Sequence, residues 1–200
     1  MAGSFGVGNL PEKASIENGT VFSQKENIEA TDLSVSNPTT ESEAKIRKAK
    51  ADAIDSYFKS KDMPFEGLGM KLVVEAEKDK LDWRLLAAIS VRESTGGKNA
   101  CKKVKNNAFG WGSCKIGFKS NEEAIETVAR NLGGNNPNTA KHYSAKSVKG
   151  ILESYNPPHI VPNYAGQVMD IMDSIGDKNI GLAEVKDEGI AETVATMLHI

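Results

Sequence analysis

The segment from Trp83 to Val91 most constrains the fold, because it is almost wholly apolar at a length typical of a helix. A helix with so little polar surface is stable only when other elements cover it. Asp82 precedes the segment as a common helix-capping residue, and the stop signal Ser94-Thr95-Gly96-Gly97 follows Glu93. The sequence therefore predicts a buried helix that ends at an acidic residue.

Helical periodicity and capping signals predict further helices around this one. Two segments, Thr40-Glu41-Ser42-Glu43 and Ser120-Asn121-Glu122-Glu123, have the form of a capping box and predict that a helix begins there. Residues 98–119 are rich in glycine and lack a helical period, which favours loops or a short hairpin. We also expect helices that carry Leu68–Ala76 and that cover residues 138–143, 146–154 and 162–175. The predicted fold class is mainly α, a single domain with a small irregular or β-like insert.

Composition and charge divide the chain into three parts. Residues 1–43 hold two basic against seven acidic residues, a net charge of −5, and their scattered apolar residues predict a disordered lead or linker. Residues 44–176 hold 21 basic against 15 acidic residues, a net charge of +6, and form the predicted domain. Residues 177–200, with a net charge of −3, are interpreted as a tail that could include a short helix. No apolar run reaches 18 residues, so we expect no membrane span.

The cysteines Cys101 and Cys114 are 13 residues apart in a stretch rich in glycine and asparagine, which favours a local disulfide. A ring of that size contributes roughly 3 kcal/mol and forms in an oxidising compartment. Two reduced thiols are the alternative, whereas a zinc site lacks enough nearby ligands. The three histidines show no metal-ligand spacing, and we therefore expect neither a metal nor a cofactor.

Glu93 is the residue with the most informative surroundings, although the local pattern alone leaves two interpretations open. It could form a surface ion pair with Arg92 or Lys98. Alternatively, apolar neighbours and the negative end of the helix dipole could raise the pKa of its carboxyl group. A carboxylic acid that stays protonated near neutral pH is what cleavage of a glycosidic bond requires, because the leaving oxygen must receive a proton.

Three motifs in order extend this pattern. Glu93-Ser94-Thr95-Gly96-Gly97-Lys98 is followed by Asn106-Asn107-Ala108-Phe109-Gly110-Trp111-Gly112 and then by Tyr155-Asn156-Pro157-Pro158. The series resembles the lysozyme-like glucosaminidase domains of glycoside hydrolase family 73 and, more distantly, the lytic transglycosylases, over about residues 65–176. The resemblance implies a lysozyme-like fold that cleaves β-1,4 links between N-acetylmuramic acid and N-acetylglucosamine in peptidoglycan.

The resemblance also implies roles for individual residues. Glu93 matches the catalytic acid, and a serine follows the acid in these families. An Asn-x-Phe-Gly element lines the cleft floor, and an aromatic residue lies near the reacting sugar. Trp111, between two glycines, is a candidate for stacking on a sugar face, although core packing is the alternative for it and for Phe109. The predicted substrate-binding residues are Ser94, Asn107, Phe109, Gly110, Trp111 and Tyr155.

The insert contains no second carboxylate. From Lys98 to Asn121, both included, there is no Asp or Glu, although six lysines are present. Glu93 could therefore act alone and give a 1,6-anhydro product, as a lytic transglycosylase does, which is the mechanism we prefer. Alternatively, the 2-acetamido group of the substrate could act as the nucleophile of a hydrolase, or Glu122 or Glu123 could position a water. The lysines predict a cationic edge beside the cleft, either for attraction to anionic wall components or for solubility.

A non-catalytic module that binds cell-wall glycan is the main alternative from another class. Basic charge alone would also suit nucleic acid, but no nucleic-acid motif accompanies it, so we expect no nucleic-acid partner. We also expect a monomeric protein. The peptidoglycan substrate that the resemblance implies and the predicted disulfide both indicate an extracytoplasmic location. Residues 1–6 lack the features of a signal peptide, so we expect an export route that is not visible in this chain.

Overall fold

The computed structural model describes residues 38–182, which form seven α-helices and no strand. A mainly α fold is therefore confirmed in this part of the chain. The insert is irregular with one 3₁₀ turn, Trp111–Cys114, and its β-like alternative is wrong because the segment pairs with no second strand. The helices are α1 (Pro38–Lys59), α2 (Gly69–Lys78), α3 (Leu85–Ser94), α4 (Asn121–Leu132), α5 (Ala140–Tyr143), α6 (Val148–Tyr155) and α7 (Tyr164–Ile175).

Helix α3 lies in the middle of the domain, in contact with α2, α4 and α7. Every residue from 85 to 90 has an exposed fraction of 0%. The Ser90 hydroxyl donates to the Ala87 carbonyl oxygen at 2.7 Å, so its polar group is satisfied inside the core. The apolar segment of the sequence is thus buried because three helices surround it.

The predicted helix cap at Asp82 is wrong in detail. The residue that flanks α3 is Arg84, and it makes no side-chain capping bond. Asp82 instead accepts a hydrogen bond from the backbone N–H of Arg84 at 3.0 Å and pairs with its guanidinium group at 3.0 Å. Asp82 therefore organises the turn that leads into α3.

Of the two predicted capping boxes, the one at Ser120 is confirmed. The Ser120 hydroxyl accepts from the backbone N–H of Glu123 at 3.2 Å. The Glu123 carboxylate in turn accepts from the backbone N–H of Lys119, one residue before the expected partner. Both contacts satisfy donors near the start of α4.

The other box does not begin its helix, because α1 already starts at Pro38. Proline suits the first helical turn, where its fixed φ is helical and no N–H partner is needed. The predicted boundary after residue 43 therefore lies inside α1. The rest of the predicted lead, residues 1–37, lies outside the described residues.

The packed region continues beyond α7, past the predicted boundary at residue 176. The Trp83 indole N–H donates to the Lys178 carbonyl oxygen at 3.0 Å, and Ile180 packs against the core. The possible helix of the tail, in residues 183–200, lies outside the described residues. Between residues 38 and 182, no helix combines the length and apolarity needed to cross a membrane.

We expect Leu86→Ala to lower the free energy of unfolding by about 2–5 kcal/mol, because Leu86 is fully buried in α3 and its removal leaves a cavity. Urea denaturation measures the change. Met70→Ala is the matched control, since Met70 on α2 is 43% exposed and should cost less than about 1 kcal/mol. Equal effects of the two substitutions would contradict the central position of α3.

Candidate active site

Glu93 occupies the second-last position of α3, where the buried helix meets a sharp break. Thr95 and Gly96 both adopt left-handed backbone, with φ of 54° and 59°. A Cβ atom on Gly96 would lie 2.8 Å from the Cβ atom of Met63, so this close approach requires glycine. The break ends the helix one residue after Glu93 and leaves the Glu93 side chain at the edge of the core.

A cleft of about 430 Å³ opens beside this carboxyl group. This volume is within the range of small-molecule binding sites. The cleft walls come from the end of α3, the insert, α5 and the end of α6. The lining residues are Glu93, Gly110, Trp111, Gly112, Ser113, Tyr143, Tyr155 and Asn156.

Two donors hold one oxygen of the Glu93 carboxyl group. The Tyr164 hydroxyl donates to Glu93 Oε1 at 2.6 Å, and Asn156 Nδ2 donates to the same atom at 3.2 Å. A Cβ atom on Gly110 would lie 3.0 Å from Oε2, so Oε2 faces this glycine at the cleft wall. Because Oε1 accepts both hydrogen bonds, the proton of the neutral acid belongs on Oε2.

Burial raises the pKa of Glu93 above the ordinary value of a glutamate. The hydrogen bond from Tyr164 and the charge of Arg92 oppose this increase without cancelling it. Burial and the neighbouring Glu93 raise the pKa of Tyr164, so that its hydroxyl remains a donor. The raised pKa that we expected from the sequence thus agrees with the environment of the Glu93 carboxyl group, and burial is the main cause of the increase.

The alternative surface ion pair of Glu93 is wrong. Arg92 Nε donates to Gln167 Oε1 at 2.8 Å, and its guanidinium group lies 5.6 Å from the centre of the Tyr164 ring. Lys98 Nζ donates to the Lys61 carbonyl oxygen at 3.0 Å. Both cations are therefore engaged with other groups.

Aromatic side chains form one wall of the cleft. The Trp111 ring lies 5.8 Å from the Tyr155 ring and 6.4 Å from the Tyr143 ring, measured between centroids. Tyr155 stacks on Tyr164 at 6.0 Å with an interplanar angle of 10°. The Tyr155 hydroxyl donates to the Phe109 carbonyl oxygen. These contacts fix the orientation of Trp111, whose ring is only partly buried.

Asn107 holds the insert together, and Ser94 holds the insert against the end of α3. Asn107 Nδ2 donates to the carbonyl oxygens of Trp111 and Ile116, both at 2.9 Å, and Asn107 Oδ1 accepts from the Trp111 N–H at 3.0 Å. The Ser94 hydroxyl donates to the Ala108 carbonyl oxygen at 2.6 Å. The insert is therefore tied both to itself and to the end of α3.

The disulfide between Cys101 and Cys114 is confirmed, with an S–S distance of 2.01 Å. It closes the segment that contains Asn107 and the cleft residues 110–113. A ring of this length removes roughly 3 kcal/mol of chain entropy from the unfolded state. The covalent bond therefore stabilises the segment that forms one wall of the cleft.

The predicted substrate-binding residues separate into two groups. Gly110, Trp111 and Tyr155 line the cleft beside Glu93. The other three are buried side chains that shape the wall from behind: Ser94 (3% exposed), Asn107 (0%) and Phe109 (0%). Direct contact between these three side chains and a ligand is excluded by their burial.

Sequence reasoning missed several residues of the cleft. The sequence contained a signal for Asn156, because this residue follows Tyr155 in the third motif. Tyr164 had none, because it is 71 positions from Glu93 and meets it only through the packing of α7 on α3. Tyr143, Gly112 and Ser113 also line the cleft without having been predicted.

Glu93 is the only carboxylate that lines this cleft within residues 38–182. Glu122 and Glu123 belong to the first turn of α4. In the same part of the chain, no three His, Cys, Asp or Glu side chains are grouped closely enough to hold a metal ion. The chemistry available to the described cleft is thus that of one acid with hydrogen-bonding and aromatic neighbours.

Comparison with known protein families, curated proteins and solved structures finds no match for this chain. The functional assignment therefore depends on the cleft geometry and on the motifs that the sequence supplies.

We expect Glu93→Gln to be more stable than the wild-type protein at neutral pH, with the difference shrinking as the pH falls. The raised pKa of Glu93 means that the folded state holds its proton more tightly than the unfolded state. Wild-type stability must therefore fall as the pH rises from the ordinary glutamate pKa through the raised value. Glutamine does not titrate and keeps an oxygen that accepts from Tyr164.

Urea denaturation of both proteins between about pH 3.5 and 8 measures this difference, because the range brackets an ordinary glutamate pKa of about 4.3. Glu122→Gln is the contrasting variant at an exposed site, because the hydrogen bond with Ser120 lowers the pKa of Glu122 and gives a pH dependence of the opposite sign. A constant difference between Glu93→Gln and wild type across the range would show that the carboxyl group has the same pKa folded and unfolded.

Proposed function

We propose that this chain cleaves the glycan strands of peptidoglycan at β-1,4 links between N-acetylmuramic acid and N-acetylglucosamine, within a lysozyme-like domain. The observation that carries the proposal is one partly buried carboxyl group, with a raised pKa, facing a cleft with an aromatic wall. The order of the three motifs in the sequence adds independent support. The protein would use Glu93 as its single acid.

The first step follows from the environment of Glu93. Its proton, on Oε2, passes to the glycosidic oxygen as the bond from that oxygen to C1 of the sugar breaks. Tyr164 and Asn156 then stabilise the carboxylate through the two hydrogen bonds on Oε1. Trp111 offers a partly exposed ring for the apolar face of a sugar.

The second step regenerates the acid. We propose that the Glu93 carboxylate takes the proton of the sugar's own 6-hydroxyl group, whose oxygen bonds to C1. The product is a 1,6-anhydro sugar, and no water is consumed. The absence of another carboxylate among the described cleft residues supports this route over one that needs a second acidic residue to position water.

An extracytoplasmic location is part of the proposal. Disulfides persist mainly in oxidising compartments, and the disulfide between Cys101 and Cys114 supports placement outside the cytoplasm, where peptidoglycan lies.

We expect Glu93→Gln to lower turnover on purified sacculi by about 10²- to 10⁴-fold, because the general acid is lost. Release of soluble muropeptides measures the rate, and circular dichroism checks that the fold is kept. Glu122→Gln and Glu123→Gln are matched controls, and both should retain activity. Full activity in Glu93→Gln would refute its assignment as the acid, and glycan binding without turnover in the wild-type protein would indicate a non-catalytic binding module.

We expect the released fragments to end in 1,6-anhydro sugars. Mass spectrometry distinguishes these ends from hydrated reducing ends by the mass of one water. Fragments with only hydrated ends would rule out the anhydro route and indicate a hydrolytic endo-β-N-acetylglucosaminidase, in which the 2-acetamido group of the substrate acts as nucleophile. The same spectra identify which of the two β-1,4 bonds is cut.

A further inference from the structure

The insert carries positive charge that no carboxylate neutralises. Its six lysines are all exposed, and none forms an ion pair within residues 38–182. Several lysines on the helices behave differently, since Lys48, Lys50, Lys71 and Lys78 pair with acidic side chains. The charge of the insert is therefore available to an external partner.

Five of these lysines lie on the segment that the disulfide and Asn106 fold back on itself, and we call them the cationic loop: Lys102, Lys103, Lys105, Lys115 and Lys119. The disulfide places the Cα atoms of Cys101 and Cys114 only 5.5 Å apart, which brings the neighbouring Lys102 and Lys115 into proximity. Asn106 Nδ2 donates to the carbonyl oxygen of Lys119 at 3.0 Å, which joins Lys105 and Lys119 in the same way.

This concentration of like charge opposes folding, because the unfolded chain would spread the lysines apart. The disulfide and the hydrogen bonds of the insert resist that repulsion. A charge cluster held in this way is better suited to a partner than to solubility alone, which scattered lysines would provide equally well.

The cationic loop is continuous with the cleft wall. Residues 110–113 line the cleft, and Lys115 is two positions beyond Ser113. A polymer that occupies the cleft contacts the segment that leads into Lys115, so negative charges that branch from that polymer could reach the lysines.

We propose that the cationic loop binds the carboxylates of the peptide stems that branch from the glycan strand in the cleft; this inference rests on the proposed function. Stems branch from every second sugar, so a bound strand always carries one near the cleft. A wall polymer of phosphodiesters is joined to the strand at sparse points and would rarely be held there. Lysine suits flexible stems, since its compact charge requires no bidentate geometry.

The test compares two triple variants on two substrates. One variant carries Lys102→Gln, Lys103→Gln and Lys115→Gln. The control carries Lys48→Gln, Lys80→Gln and Lys178→Gln, which removes the same charge from exposed sites on α1, after α2 and after α7. The substrates are sacculi freed of phosphodiester polymers by hydrofluoric acid and stem-free glycan strands prepared with an amidase.

On stem-bearing sacculi at low salt, we expect the loop variant to lower kcat/KM about 5- to 10-fold and the control variant less than about 2-fold, because nearby exposed charges are weakly screened. Salt at about 0.5 M should remove most of the difference. On stem-free strands, the loop variant should match the wild type.

An equal loss on both substrates, or no loss on the stem-bearing sacculi freed of phosphodiester polymers, would overturn the stem proposal. If the wild type is inactive on both substrates, the proposed function fails. Co-sedimentation of the protein with sacculi then still tests whether the cationic loop binds peptide stems. Wild-type protein should then sediment with stem-bearing sacculi more than with stem-free glycan, and the loop variant should lose that preference. No such preference in the wild type would contradict stem binding.

Discussion

The burial of α3 is the constraint on which the rest of the structure depends. A helix with apolar residues on all sides must be covered, and α2, α4 and α7 provide the cover. Its charged side chains lie near its two ends. At the start, Arg84 pairs with Asp82 and Asp173. At the end, Glu93 lines the cleft, where its carboxyl group is partly buried and still accessible to a ligand.

The same arrangement tunes Glu93 in two directions. Burial disfavours its charged form, while the Tyr164 hydroxyl and the Asn156 amide favour it. Both donors bind Oε1, so Oε2 faces the cleft wall at Gly110. In the proposed reaction Glu93 releases a proton and recovers it, and this balance would favour such a cycle because neither form is strongly stabilised. The insert is held rigidly opposite by the Asn107 bonds and the disulfide.

Much of the fold could be predicted because helical periodicity and capping are local properties. The Ser120 box and the apolar run before Glu93 each specify a helix within a few residues of chain. The start of α1 was misplaced because Pro38 is also a good first helical residue. The side chains of Asn107 and Phe109 carried a recognisable motif, but a motif does not distinguish a residue that touches a ligand from one that shapes the wall behind it.

Local sequence patterns are enough to predict that the domain is helical, that an acid lies at the end of its apolar helix, and that a glycine-rich segment with two cysteines follows. These properties depend on neighbours along the chain. The surroundings of that acid depend instead on long-range packing, because Tyr164 and Asn156 reach Glu93 from 71 and 63 positions away. Such contacts depend on how α7 packs against α3 and on how α6 packs against α7, and that packing is a property of the whole core rather than of any short segment.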